Sequence, residues 1–304
     1  MRRRWSVVVM VACAVVVACG ALLAVAARTD LPADGAGRRT PARALETAEL
    51  DVLHTAGELL VQDCMRAQGF SYWPVLRVPH PDWRDFPYGV DDVDWARGHG
   101  FGRRIERQLD EEAAAGPRGR YQSGLSAERL EALGVALMGP DAKGLAVENP
   151  GGGTLSHSDR GCITASWRQL YGDVRLWYGS SETVKQLGPV RTGRVNQDPA
   201  FRTAVAGWSE CVGRRGFPAV HPVQQRDEQL ARTGPAAEAD DVPMATAQAE
   251  CARSTGFADT ARDLHRRYSD MIRAENGAAF DAMRRLQVAA LPTARDVVAR
   301  HAGS

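Results

Sequence analysis

From Trp5 to Ala27 the chain carries no charged residue, and Val, Ala and Leu dominate behind a short basic head, Met1-Arg2-Arg3-Arg4. A basic head followed by an apolar run is the pattern of a signal peptide or a membrane anchor. The run exceeds the ~7–15-residue core of a signal peptide, and as a helix it reaches roughly 34 Å, enough to cross a bilayer. Three fates are open. Residues 5–27 stay as a transmembrane anchor with Arg2–Arg4 inside, as the positive-inside rule requires. They are cleaved after Ala24-Val25-Ala26, which has the small-x-small form of a signal peptidase site. Or Val16-Val17-Ala18-Cys19-Gly20 acts as a lipobox and Cys19 is lipidated. In every case the remaining chain works outside the cytosol, secreted or on the extracytoplasmic face of the cell membrane. Residues 28–41, with Pro32, Gly35, Gly37 and Pro41, read as a linker.

Beyond residue 42 the apolar positions recur at helical spacing and alternating strand patterns are nearly absent. Thr40-Pro41 reads as a helix start, followed by Leu45, Val52, Ala56, Leu60 and Cys64 on one face until Gly69 stops the run. Pro74, Pro79, Pro81 and Pro87 make residues 71–90 an irregular arm. Helix resumes over Asp92–Ala115, interrupted at Gly98-His99-Gly100 and ended by Gly116-Pro117. Ser126 caps a helix through Met138, and residues 141–160 form a loop or small hairpin. Further helical stretches start at Cys162, at Asp198-Pro199 and near Val242. A long one runs from Ala258 with Leu264, Tyr268, Met271, Met283 and Leu286 on its face, until Pro292 kinks or ends it. The expected fold is all-α: an irregular helical domain over 42–304, with halves at about 42–190 and 198–304.

Charge excludes one class of partner. The formal net charge is +1. Setting aside the three arginines of residues 1–4 leaves 35 basic against 37 acidic residues, a balance of −2. The basic residues are scattered rather than striped, so no nucleic-acid footprint is present.

Cysteine usage agrees with export. Cys13 and Cys19 lie in the apolar segment, whereas Cys64, Cys162, Cys211 and Cys251 lie beyond it. An even number in an oxidising compartment reads as disulfides, and none are close enough to form a C-x2-C metal knuckle. A C-x4-G-F motif recurs at Cys64–Phe70, Cys211–Phe217 and Cys251–Phe257. Each reads as a helix end: the Gly turns the chain into the left-handed region, and the Phe folds back onto the Cys turn. The repeat is thus a stapling device rather than a duplicated binding unit. Three connectivities are open; the expected one, Cys64–Cys162 with Cys211–Cys251, staples each half within itself.

The chain offers little catalytic chemistry. The seven histidines show no H-E-x-x-H and no metal-ligating pair on a helix. Asp91, Asp92 and Asp94 mimic a calcium loop, but Arg97 and Arg103 stand where Gly and Glu are required; Asp92 reads as a helix cap. Gly98-His99-Gly100-Phe101-Gly102 lacks the strand that a phosphate loop follows, and no G-x-S-x-G elbow occurs. No catalytic residue, metal site or cofactor is assigned. Asp110-Glu111-Glu112 is the one carboxylate run able to hold a glycosidase acid, against the simpler reading of a solvated helix face. Trp73, Trp83 and Trp95, with Tyr72 and Tyr88, offer a binding surface along the arm, against the simpler reading that they pin the arm to the helices.

Taken together, Cys64-Met65 with Gly69-Phe70, Tyr88-Gly89-Val90 through Ala96, Gly100-Phe101, Gly161-Cys162 with Ala165, and Tyr171-Gly172-Asp173 form a recognisable series. It continues through Asp198, Phe201, Trp208, Cys211, Ala245, Cys251, Gly256 and Leu286. In these positions the chain resembles a family of exported, uncharacterised actinobacterial proteins of secreted or lipoprotein-like type. Cys211-Val212 departs from the Cys-Met pattern, and the lipobox lies in mid-segment. The resemblance implies export and disulfides, and carries no activity. The expected function is a non-enzymatic cell-envelope protein, attached to the membrane through residues 5–27, that binds a cell-wall or protein partner. The alternatives are a cell-wall glycoside hydrolase and a structural scaffold without ligand.

Overall fold

The helix starts expected at Asp92, Ser126 and Asp198 are found at those side chains. In the computed structural model, which describes residues 43–77, 80–217 and 221–303, Asp92 Oδ1 accepts the N–H of Asp94 at 3.1 Å and of Trp95 at 3.0 Å, opening α2 (Val93–His99). A short glycine turn then leads into α3 (Arg103–Ala115). Ser126 Oγ accepts the Arg129 N–H and opens α5 (Ala127–Met138). Asp173 opens α7 (Val174–Gln197) and Asp198 opens α8 (Pro199–Arg214) in the same manner. These contacts satisfy donors that a helix start otherwise leaves orphaned. The segment 5–27, Cys13, Cys19, the linker 28–41 and the Thr40-Pro41 start lie outside the described residues. No helix among the described residues is long and apolar enough to cross a membrane.

Several boundaries differ from expectation. The first helix, α1 (Thr47–Ala67), starts at Glu46, because Glu46 and Glu49 form a reciprocal capping box in which Glu49 also accepts the Glu46 N–H at 3.1 Å. Gly116-Pro117 ends α3 but also starts α4 (Pro117–Ser123), with Pro at the first helical position. Residues 141–160 contain a hairpin, β1 (Gly144–Glu148) paired antiparallel with β2 (Thr154–Ser158), with Gly144 opposite Ser158. The stretch from Cys162 divides at Gly172-Asp173 into α6 (Cys162–Tyr171) and α7. Then come α9 (Pro222–Ala231), which the pattern did not announce, and α10 (Pro235–Ser254). The long C-terminal stretch divides at Asn276, whose backbone and side-chain N–H groups both donate to the Ile272 carbonyl and close α11 (Phe257–Glu275). The last helix, α12 (Gly277–Ala302), runs through Pro292 instead of ending there.

The fold is all-α apart from the hairpin, and two disulfides staple it. Cys64 is bonded to Cys162 and Cys211 to Cys251, with Cα separations of 5.5 and 5.7 Å. The first joins the last turn of α1 to the first residue of α6, the second the last turns of α8 and α10. The three C-x4-G-F glycines all have positive φ. After Gly69 the Phe70 N–H donates to the Met65 carbonyl at 2.9 Å, and after Gly216 the Phe217 N–H donates to Val212 at 3.3 Å. Those are Schellman closures. At the third repeat Gly256 turns the chain straight into α11, so Phe257 opens a new helix while packing with Cys211 and Cys251.

The two halves of the sequence are interleaved in space rather than set side by side. Leu53, Ala56 and Leu60 of α1 share a core with Ala290, Leu291, Ala294 and Val297 of α12. Val90, Trp95 and Phe101 share another with Met244, Ala245 and Ala249 of α10. Each half therefore completes its core with helices from the other, and residues 41–304 make one unit. A buried glutamine ties the second core together: Gln248 accepts the Val90 N–H at 3.0 Å and donates to the Pro222 carbonyl at 2.8 Å.

Candidate functional site

The arm begins where Gly69 stops α1 and doubles back along that helix. Gln62 donates to the Tyr72 carbonyl at 2.9 Å; Glu58 accepts the Tyr72 hydroxyl at 3.0 Å and the Val75 N–H at 2.8 Å. His54 hydrogen-bonds the Val75 carbonyl and Arg77 pairs with Asp51 at 3.4 Å. Burial with Glu58 alongside raises the Tyr72 pKa to about 12, so this anchor keeps its proton at any physiological pH.

The three arm tryptophans do not form one surface. Trp95 is buried on α2, packs edge-on against Phe86, and donates its indole N–H to the Asp82 carbonyl at 2.7 Å. It pins the arm, as the simpler reading holds, and is no part of an exposed binding surface. Trp73 is half-buried against Tyr121, with a ring separation of 5.5 Å. Trp83 alone is largely open, at 45% exposure, and Val75 and Leu76 are open at 47% and 56%. The arm thus holds its backbone down and turns three apolar side chains outward.

Asp110, Glu111 and Glu112 lie exposed on α3. Asp110 and Glu111 border a depression of about 470 Å³ shared with Arg103, Arg107 and Glu238. No tryptophan lines it. Among the described residues no group of three or more His, Cys, Asp or Glu is placed to hold a metal ion.

A feature absent from the sequence reading lies where the end of the arm meets α11. Residues Asp85–Gly89 and Asp91 face Phe257, Ala258, Ala261, Arg262, His265 and Arg266 across a cavity of about 270 Å³. The α11 positions follow a 3–4 spacing, so they occupy a single helix face. Tyr88 lies at its base, buried against Phe201, with its hydroxyl 3.2 Å from His265 Nδ1. Burial raises the Tyr88 pKa, opposed by Thr192 and Arg191 of α7. Burial also lowers the His265 pKa, assisted by Arg191 and opposed by Asp85. Both groups are therefore held neutral near pH 7, which suits a hydrogen bond between them. Burial raises the Asp91 pKa, with Arg262 pulling it back. Gly89 is obligatory: at φ 108° it lies so close to Pro222 that an added Cβ would meet the proline Cβ at 2.3 Å.

Comparison of the chain with known family models, curated proteins and solved structures finds no match.

Proposed function

We propose that this protein is a non-enzymatic binding protein of the cell envelope, held at the extracytoplasmic face by residues 5–27, and that its arm contacts a cell-wall or protein partner. The observation that carries this reading is the presentation of Val75, Leu76 and Trp83. Their backbone neighbours are fixed to α1 and α2, so ordering the contact residues on binding costs little entropy. A rigidly displayed tryptophan is a usual anchor of a binding surface, and the exposed Val75 and Leu76 add apolar area to the arm. The two disulfides support a location outside the reducing cytosol.

The hydrolase alternative draws on Asp110, Glu111 and Glu112. These side chains stand on an exposed helix face without an aromatic-lined groove, which is a poor setting for a paired-carboxylate mechanism.

The test uses the full-length chain in membranes, with a photo-crosslinking residue in place of Trp83 and, separately, with isolated cell-wall sacculi. The expected result is a discrete crosslinked product or sedimentation with sacculi, lost in the Val75→Ser/Leu76→Ser variant at unchanged melting temperature. Equal capture of that variant, or no capture in either assay, removes the arm as a contact surface.

A further inference from the structure

We propose that the cavity between the arm and α11 binds a small zwitterion of α-amino-acid size. The site is separate from the outward face of the arm. Its walls carry opposite charge: Asp85 and Asp91 on the arm side, Arg262 and Arg266 on the α11 side. Neither carboxylate forms an ion pair among the described residues, whereas the arginines pair along their own helix, Arg262 with Asp259 at 3.0 Å and Arg266 with Asp263. Those arginine pairs are exposed, so exchanging them for a ligand carboxylate costs little.

The floor between the charged walls is apolar. Pro87, Phe257, Ala258 and Ala261 line it, and the two alanines keep it open where larger side chains would fill it. A cavity of about 270 Å³ lies just under the ~300–1,000 Å³ of drug-sized pockets, so it suits a ligand of few heavy atoms. The first turn of α11 adds to the anion side, because Phe257 and Ala258 stand at its N-terminal end. The positive end of the helix dipole favours a carboxylate there. At the base, the neutral Tyr88–His265 pair supplies a hydroxyl and an imidazole without net charge.

These walls discriminate by charge. A lone anion meets Asp85 and Asp91, and a lone cation meets Arg262 and Arg266. A molecule bearing an ammonium and a carboxylate on adjacent atoms satisfies both sides, and a short aliphatic side chain covers the floor.

The experiment titrates the full-length, disulfide-bonded protein with alanine of either hand and with L-valine, alongside the single-charge analogues propionate and isopropylamine. Binding is read by calorimetry and by the amide resonances of Tyr88, Gly89 and His265. The zwitterions should bind and shift those resonances, and the single-charge analogues should bind at least about tenfold more weakly, as loss of a charge-assisted hydrogen bond requires. Asp91→Asn and Arg262→Gln should each weaken zwitterion binding by about tenfold. The melting temperature of each variant reports that it is folded, and Asp85→Asn replaces Asp91→Asn if the latter does not fold. The proposal is overturned if no zwitterion binds, if propionate or isopropylamine binds as well as alanine, or if the folded variants bind as the parent does.

Discussion

The backbone N–H of Val90 donates to Oε1 of Gln248 at 3.0 Å, across 158 residues of chain. The same side chain donates its Nε2 to the Pro222 carbonyl at 2.8 Å, and it is fully buried. One glutamine therefore satisfies two backbone groups that have left regular structure, one closing the arm and one opening α9. Gln248→Leu would orphan both. At ~1–3 kcal/mol for each buried unsatisfied group, the variant should lose about 2–6 kcal/mol of unfolding free energy. Urea denaturation measures this, and a loss under about 1 kcal/mol would mean that the clamp is dispensable.

Trp83 and Trp95 should separate in the same assay. Trp95 is buried with its indole N–H bonded, so Trp95→Ala should cost about 3–5 kcal/mol. Trp83 is an exposed side chain, and Trp83→Ala should stay within about 0.5 kcal/mol of the parent. Equal effects would place both in the core.

Gly100 tests how closely α10 approaches the turn between α2 and α3. A Cβ on Gly100 would lie 2.0 Å from Asp241 Oδ2, and its φ of 62° with ψ of −128° suits glycine alone. Asp241 is buried, accepts the Phe101 N–H at 3.1 Å and sits 3.6 Å from Arg103 Nε. Gly100→Ala must displace this carboxylate or the turn, and should cost at least about 2 kcal/mol. Differential scanning calorimetry would register the loss as a fall in the melting temperature; an unchanged midpoint refutes the close approach.

His301, near the end of α12, reaches across to α1. Its Nε2 stands 3.0 Å from Asp63 Oδ2, and its Nδ1 hydrogen-bonds the Val297 carbonyl at 2.9 Å. The Val297 carbonyl and Asp63 raise its pKa, opposed by burial and by Arg300. A histidine pKa raised by folding contributes stability that is complete below its unfolded value of about 6.5 and is lost as pH rises through the folded value. The stability difference between the parent and His301→Gln should therefore shrink from ~pH 6 upward, in a window opening at the unfolded pKa. A difference that grows with pH would reverse the assignment.

These features were unequally visible in the chain. Local signals acted locally: Asp92, Ser126 and Asp198 cap helices, and the C-x4-G-F glycines stop or turn them. Helix α9 was hidden because its buried face is built from Gln225 and Gln229 with Pro222 rather than from an apolar stripe. The break at Asn276 was hidden because apolar spacing continues through it, while the stop comes from an asparagine bonding back to Ile272. The tryptophans left two readings open. Their closeness along the chain allowed a shared surface or a set of pins for the arm, and the short helix α2 turns Trp95 inward as a pin.

The cavity could not be read from sequence. Asp85–Asp91 alone is a turn with two carboxylates, and Ala258, Ala261, Arg262, His265 and Arg266 alone are an ordinary helix face. Only the packing of segments some 170 residues apart turns them into opposing walls, as the 177-residue separation of Tyr88 and His265 records. Small residues on α11 were the sole trace, and small residues have many other causes.

The order of the cysteines bears on how such a chain matures. A polypeptide emerging N-terminus first into an oxidising space presents Cys64, Cys162, Cys211 and Cys251 in turn. The bonds join first to second and third to fourth, so nearest-in-time pairing yields the native links without isomerase-driven shuffling. Apolar assembly keeps a different clock: Leu53 and Ala56 meet Leu291 and Ala294 only when almost the entire chain has arrived. Cross-linking would precede burial in that sequence of events, and until α12 arrives the face of α1 that carries Leu53 and Ala56 lacks its partner.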